Sequence, residues 1–125
     1  MKRVTGIGGI FFKCRDREAT LAWYQKHLGI PIEPWGAQFF WGDTPEGAAK
    51  PYSVLGMFKE QTDYFDPSTQ PFMINFRVDD LNALVEQLRS EGVTIVGTPL
   101  EEEYGKFAWI MDPEGNKIEL WEQTA

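Results

Sequence analysis

The sequence predicts an α+β domain in which two tandem βαβββ modules join into one curved, eight-stranded mixed sheet. That sheet is concave on one side and carries its helices outside. Three observations predict this. Two segments repeat apolar residues at helical spacing, alternating segments flank each of them, and an aromatic-plus-turn pattern recurs at one fixed offset.

The first strand is expected from Ile7 to Cys14. A helix then runs from Arg17 to Leu28, where Leu21, Tyr24 and Leu28 share a face. Asp16 stands at its N-cap, where a carboxylate accepts from free first-turn amides, and Gly29 supplies its stop. A short strand, a second strand leading to Pro45-Glu46-Gly47 and a last strand complete this half. The polar segment Glu60 to Gln70 is read as a connector. Phe72 to Val78 opens the second half, alternating at Ile74, Phe76 and Val78. The second helix runs from Leu81 to about Glu91, with Leu81, Leu84, Val85 and Leu88 on one face, Asp80 at its N-cap and Gly92 as its stop.

The copies register closely. Asp80 lies 64 residues after Asp16, and Gly92 lies 63 after Gly29. Phe39, Trp41 and Pro45-Glu46-Gly47 recur 68 residues on as Phe107, Trp109 and Pro113-Glu114-Gly115. Module one therefore spans about 4–59, the connector about 60–70 and module two about 71–123, within a single domain covering 1–125. A lone module would leave one sheet face bare, whereas two side by side enclose a concave surface.

Composition narrows the function classes. A formal net charge of −7 argues against nucleic acid, whose phosphates require clustered Lys and Arg. No apolar run reaches the length of a membrane helix and the first residues lack the apolar core of a secretory signal, so a soluble, cytoplasmic protein is expected. The single cysteine, Cys14, permits no internal disulfide and fits a reducing compartment. His27, the only histidine, falls on the first helix and reads as a surface residue, which disfavours triad chemistry.

Trp23-Tyr24 before His27-Leu28-Gly29, Val78-Asp79-Asp80-Leu81 opening the second helix, and Asp112-Pro113-Glu114-Gly115-Asn116 before the last strand together resemble the vicinal oxygen chelate superfamily. That superfamily includes glyoxalase I, extradiol dioxygenases, and fosfomycin and bleomycin resistance proteins. The resemblance covers essentially the whole chain. In metal-dependent members the first strand of each half supplies a His or Gln and the last strand an acid or His. Carried over by position, those four seats are Gly9, Met73, Gly56 and Glu119. One of the four is a ligand, so no metal and no cofactor are expected.

Strand alternation assigns the concave face. The first strand gives it Ile7, Gly9, Phe11 and Lys13, and the fourth gives Val54, Gly56 and Phe58. The fifth gives Met73, Asn75 and Arg77, and the eighth gives Lys117, Glu119 and Trp121; Trp41 and Trp109 are candidates from the third and seventh. Glycine at two seats would widen the cup. Phe11, Phe58, Met73, Asn75, Arg77, Trp109, Glu119 and Trp121 are the expected ligand-binding set, an aromatic lining with a few charges. Glu119 is also the candidate catalytic residue, as a general base with Arg77 as oxyanion stabiliser. Glu101-Glu102-Glu103 reads as a solvated loop at the cup's border.

The expected function is metal-independent binding of a small aromatic or cationic organic ligand, similar to the bleomycin-resistance branch. A metal-dependent glyoxalase or dioxygenase, or a metal-free enzyme using Glu119, are the alternatives. The resemblance further implies a homodimer, and charge and hydropathy leave no nucleic-acid or membrane partner expected.

Overall fold

The computed structural model describes residues 2–42 and 50–124. The Pro45-Glu46-Gly47 copy of the turn lies outside the described residues. The elements run β1 (Val4–Cys14), α1 (Arg17–Leu28), β2 (Gly36–Phe40), β3 (Tyr52–Lys59), β4 (Phe72–Val78), α2 (Leu81–Ser90), β5 (Ile95–Glu102), β6 (Gly105–Met111) and β7 (Lys117–Gln123). The class is α+β, with one mixed sheet ordered β2-β3-β1-β4-β7-β6-β5.

Antiparallel β1 and β4 form the seam. Outward from it, β3 runs parallel to β1 and β7 parallel to β4, and β2 and β6 return antiparallel. Both helices begin as the sequence requires. Asp16 accepts from the Ala19 amide at 3.0 Å and Asp80 from the Ala83 amide at 3.1 Å. Gly29 closes α1 at a φ of 66°, a left-handed conformation that a side chain would strain.

Seven strands form among the described residues, not the expected eight. The missing one follows α1, where Pro31 and Pro34 remove two amide donors from the segment. A single bridge between Glu33 and Gly36 is all that remains there. In the second half Thr94 and Gly97 stand 63 residues after these prolines, and β5 there pairs along β6.

Two apolar layers lie on the helix side. Leu81, Leu84 and Val85 of α2 pack with Val78, Ala108 and Leu120, and Leu21 of α1 packs with Cys14 and Met57. Cys14 is thus the buried thiol that its strand parity implies. No described helix is long and apolar enough to cross a membrane.

The third apolar layer corrects the reading of 60–70 as a plain connector. Phe65 is fully buried with Phe11 and Met73 on the concave side, and Tyr64 packs beside it. The connector therefore folds into the cup and fills part of it. Alternation along β1 also breaks, with register shifts against β4 between Val4 and Gly6 and between Ile7 and Gly9. The second shift places Ile7 opposite Phe76 and leaves it 53% exposed, out of the cup.

Because Phe65 is core, Phe65→Ala is expected to lower unfolding free energy by about 3–5 kcal/mol in a urea titration. A loss below about 0.5 kcal/mol would mean that the segment is only a tether.

Candidate functional site

The site is built around Glu119 on β7. Parallel pairing sets Glu119 beside Asn75 of β4, and antiparallel pairing sets it beside Trp109 of β6. Side chains of directly opposed residues share a sheet face, so all three project into the cup. The Asn75 amide donates to Glu119 Oε1 at 2.6 Å, and Trp109 Nε1 donates to Oε2 at 2.9 Å. The Tyr64 hydroxyl, delivered by the connector, donates to Oε2 as well. Glu119 is 3% exposed, so this acid is buried and triply hydrogen-bonded.

Tyr64 is held from every side. Its ring stacks on Phe58 at 5.5 Å with 7° between planes and meets Trp109 edge-on at 6.2 Å. Lys117 Nζ donates to its backbone carbonyl at 2.7 Å and lies 5.4 Å from its ring centre. Burial together with the Glu119 carboxylate pushes the Tyr64 phenol far above its ordinary value of 10.0. Burial pushes the Lys117 ammonium down, opposed by Glu119, Asp66 and Asp63.

Beside this cluster lies a cavity of about 230 Å³, walled by Phe11, Tyr52, Val54, Phe58, Tyr64 and Phe107, with Trp109, Trp121, Asn75 and Glu119 at its base. Leu100, Glu102 and Tyr104, contributed by the β5–β6 hairpin, complete its lining. An adjoining hollow of about 500 Å³ shares five of these residues and extends to Trp35 and Gln38.

Of the eight expected ligand-binding residues, Phe11, Phe58, Asn75, Trp109, Glu119 and Trp121 line the cavity. Met73 does not, because Phe65 covers it. Arg77 does not either. Its guanidinium donates to the Tyr52 carbonyl at 3.0 Å and to Gln123 Oε1 at 2.6 Å, and it stacks 4.8 Å from the Trp121 ring centre. That places it outside the cavity lining and not beside Glu119, so the two do not form a base–oxyanion pair. Trp41 faces Arg77 at 5.9 Å and is likewise outside the lining. His27 is exposed on α1, 5.1 Å from Trp23. Glu101 and Glu102 end β5 rather than forming a loop, and Glu102 reaches the cavity.

Both glycine seats are closely approached by side chains, although Gly56 also lines the adjoining hollow. A Cβ on Gly56 would lie 2.6 Å from the Phe11 ring and one on Gly9 would lie 2.7 Å from Val54, so neighbouring side chains already fill both spaces. Gly8 has a different use. A Cβ there would lie 2.1 Å from Asn75 Oδ1, so only glycine admits the rotamer that aims the Asn75 amide at Glu119.

A divalent ion does not fit these residues. Gly9, Gly56 and Met73 give no hard ligand, and Glu119 is ringed by N–H and O–H groups where a metal site needs lone pairs. Among the described residues no group of three or more His, Cys, Asp or Glu is placed to hold a metal.

Tyr64 and Phe65 escaped the sequence reading because the polar flanks of 60–70 read as linker. Their signal is the aromatic pair itself, set between acids. Tyr52 and Phe107 share strand parity with Val54 and Trp109 and lie one step further along β3 and β6 than the positions read, whereas Leu100 and Tyr104 are brought to the cup by the β5–β6 hairpin.

The seven-stranded mixed sheet with its two helices is that of the vicinal oxygen chelate superfamily, and within it the chain belongs to the glyoxalase-like domain family, which matches residues 9–121. No curated protein matches the sequence. Among solved structures, a variant of Streptomyces coelicolor methylmalonyl-CoA epimerase in complex with 2-nitronate-propionyl-CoA aligns with a TM-score of 0.71 at 20% identity, covering 98% of this chain and 99% of that one. Methylmalonyl-CoA epimerase from Mycobacterium tuberculosis aligns at 0.65 and 23% identity, covering 100% and 92%. A glyoxalase/bleomycin resistance protein/dioxygenase superfamily member from Vibrio splendidus 12B01 aligns at 0.59 and 14%, covering 91% and 96%. At these identities the likeness is one of fold.

The Tyr64 phenol gives a pH test. The unfolded chain releases this proton near pH 10, whereas the folded chain retains it, so the stabilisation is complete below pH 10 and falls as pH rises further. Urea midpoints measured from pH 8 to 11 should decline above about 10, and Tyr64→Phe should flatten that decline. Equal slopes in both proteins would contradict the assignment.

Proposed function

We propose that this protein binds a small aromatic organic molecule, neutral or cationic, without a metal or other cofactor. The observation that carries this reading is the cavity itself. It is walled by rings, and its one deep acid is already occupied by three donors of the same chain. Such walls suit stacking and cation–π contact. The volume of about 230 Å³ sits at the small end of ligand cavities, and the adjoining hollow gives room for a larger substituent. Glu102 at the lining and the net charge of −7 favour a cationic group over an anionic one.

Three alternatives find less support. A metal-dependent isomerase or dioxygenase needs a donor set that Gly9, Gly56 and Met73 do not supply. A metal-free enzyme with Glu119 as base needs a free carboxylate oxygen near substrate, and Oε2 already accepts from both Tyr64 and Trp109. An acyl-CoA ligand, as held by the S. coelicolor epimerase, would bring a polyanion towards Glu102 on an acidic protein.

Calorimetry with tryptamine, indole and indole-3-propionate, each with and without EDTA, tests the proposal. Binding of at least one aromatic compound that persists in EDTA is expected, weakened about tenfold by Tyr104→Ala, since Tyr104 lines the cavity and is 54% exposed. Binding that requires an added divalent ion, or no binding across a broad aromatic panel, would overturn it.

A further inference from the structure

The two sheet edges differ in kind. On one side β5 is blunted. It carries Pro99, a register break between Val96 and Leu100, and Glu101 and Glu102 at its end. Those are the devices by which edge strands avoid pairing with other chains. On the other side β2 has the sequence Gly36-Ala37-Gln38-Phe39-Phe40, with no charge and no proline.

Among the described residues this edge is open, because the expected eighth strand does not form there. The hydrogen bonds fix which groups face outward. Trp35 O accepts from Met57 N at 3.2 Å and Trp41 N donates to Pro51 O at 3.2 Å, so odd-numbered residues face β3. Even-numbered residues face outward. Gly36 spends its outward groups on Glu33, with bonds of 2.8 and 3.1 Å. Gln38 and Phe40 keep theirs open among the described residues. Around them stand Trp35, Phe39, Phe40 and Trp41, exposed by 42, 43, 59 and 47%.

We propose that β2 is a self-association edge, and that its occupant is β2 of a second copy of this chain, paired antiparallel about a twofold axis at Phe39. The open groups select this occupant. A twofold at Phe39 sets Gln38 opposite the partner's Phe40 and the reverse, so each open donor and acceptor meets its counterpart. A twofold at Gln38 would instead require Gly36, whose groups are taken. An uncharged edge also lets two acidic chains approach without facing carboxylates. Two seven-stranded sheets then continue as one. This inference rests on the backbone groups of the sheet edge and does not depend on the ligand reading, although Trp35 and Gln38 also line the adjoining hollow.

The register gives a direct test. Phe39 opposes the partner's Phe39 as a non-hydrogen-bonded pair, where Cα atoms lie about 4.5 Å apart, within disulfide reach. Phe39→Cys is expected to form a disulfide-linked dimer in air, whereas Trp41→Cys, opposite the partner's Ala37, stays unlinked. Buried Cys14 does not interfere. In sedimentation equilibrium the native chain should be a dimer, Phe40→Lys should weaken association at least tenfold, and Leu28→Lys on α1 should leave it unchanged. A native monomer at high micromolar concentration would overturn the proposal. So would a dimer that is indifferent to Phe40→Lys and leaves Phe39→Cys unlinked.

Discussion

The Glu119 carboxylate, buried on β7, holds three separately delivered side chains in one place. Asn75 comes from the parallel neighbour β4, Trp109 from the antiparallel neighbour β6, and Tyr64 from the connector between the halves. Burying a lone carboxylate costs several kcal/mol. Hydrogen bonds to a charged acceptor return about 1.5–3 kcal/mol each, so three of them offset a cost that one could not.

That constraint explains the shape of the cup. Tyr64 is drawn down to Glu119, Phe65 follows it into the space over Met73, and Lys117 fastens the Tyr64 carbonyl from below. A segment that would otherwise loop past the sheet becomes one wall of the cavity. A phenol, an indole and an amide of the same chain converge on Glu119, and the space beside them is walled by aromatic rings. The chemistry of such a cup is set by the side chains grafted onto it rather than by the fold.

Much of this was legible in the sequence because local chemistry determined it. Asp16 and Asp80 capped the helices, Gly29 stopped the first, and Asp112 held its turn by accepting from the amides of Glu114 and Asn116 at 2.9 and 2.8 Å. Strand parity placed Phe11, Phe58, Asn75, Glu119 and Trp121 on the concave face. Parity failed where the backbone broke step, at the Gly8 irregularity that turned Ile7 away. It was also too coarse for Arg77, whose long side chain reached Tyr52 and Gln123 rather than the cavity. The eighth strand was lost to Pro31 and Pro34, local signals that the repeat pattern overrode in the reading. Tyr64 was the deepest omission, since its role is defined only by a contact 55 residues away in the chain.

The double-mutant cycle of Tyr64→Phe and Glu119→Gln, measured by urea unfolding at pH 7, tests this account most directly. A coupling energy of about 1–3 kcal/mol is expected, because either change alone breaks the same bond. Additive effects, with coupling near zero, would mean that Glu119 does not hold the connector in the cup, and the account would fail.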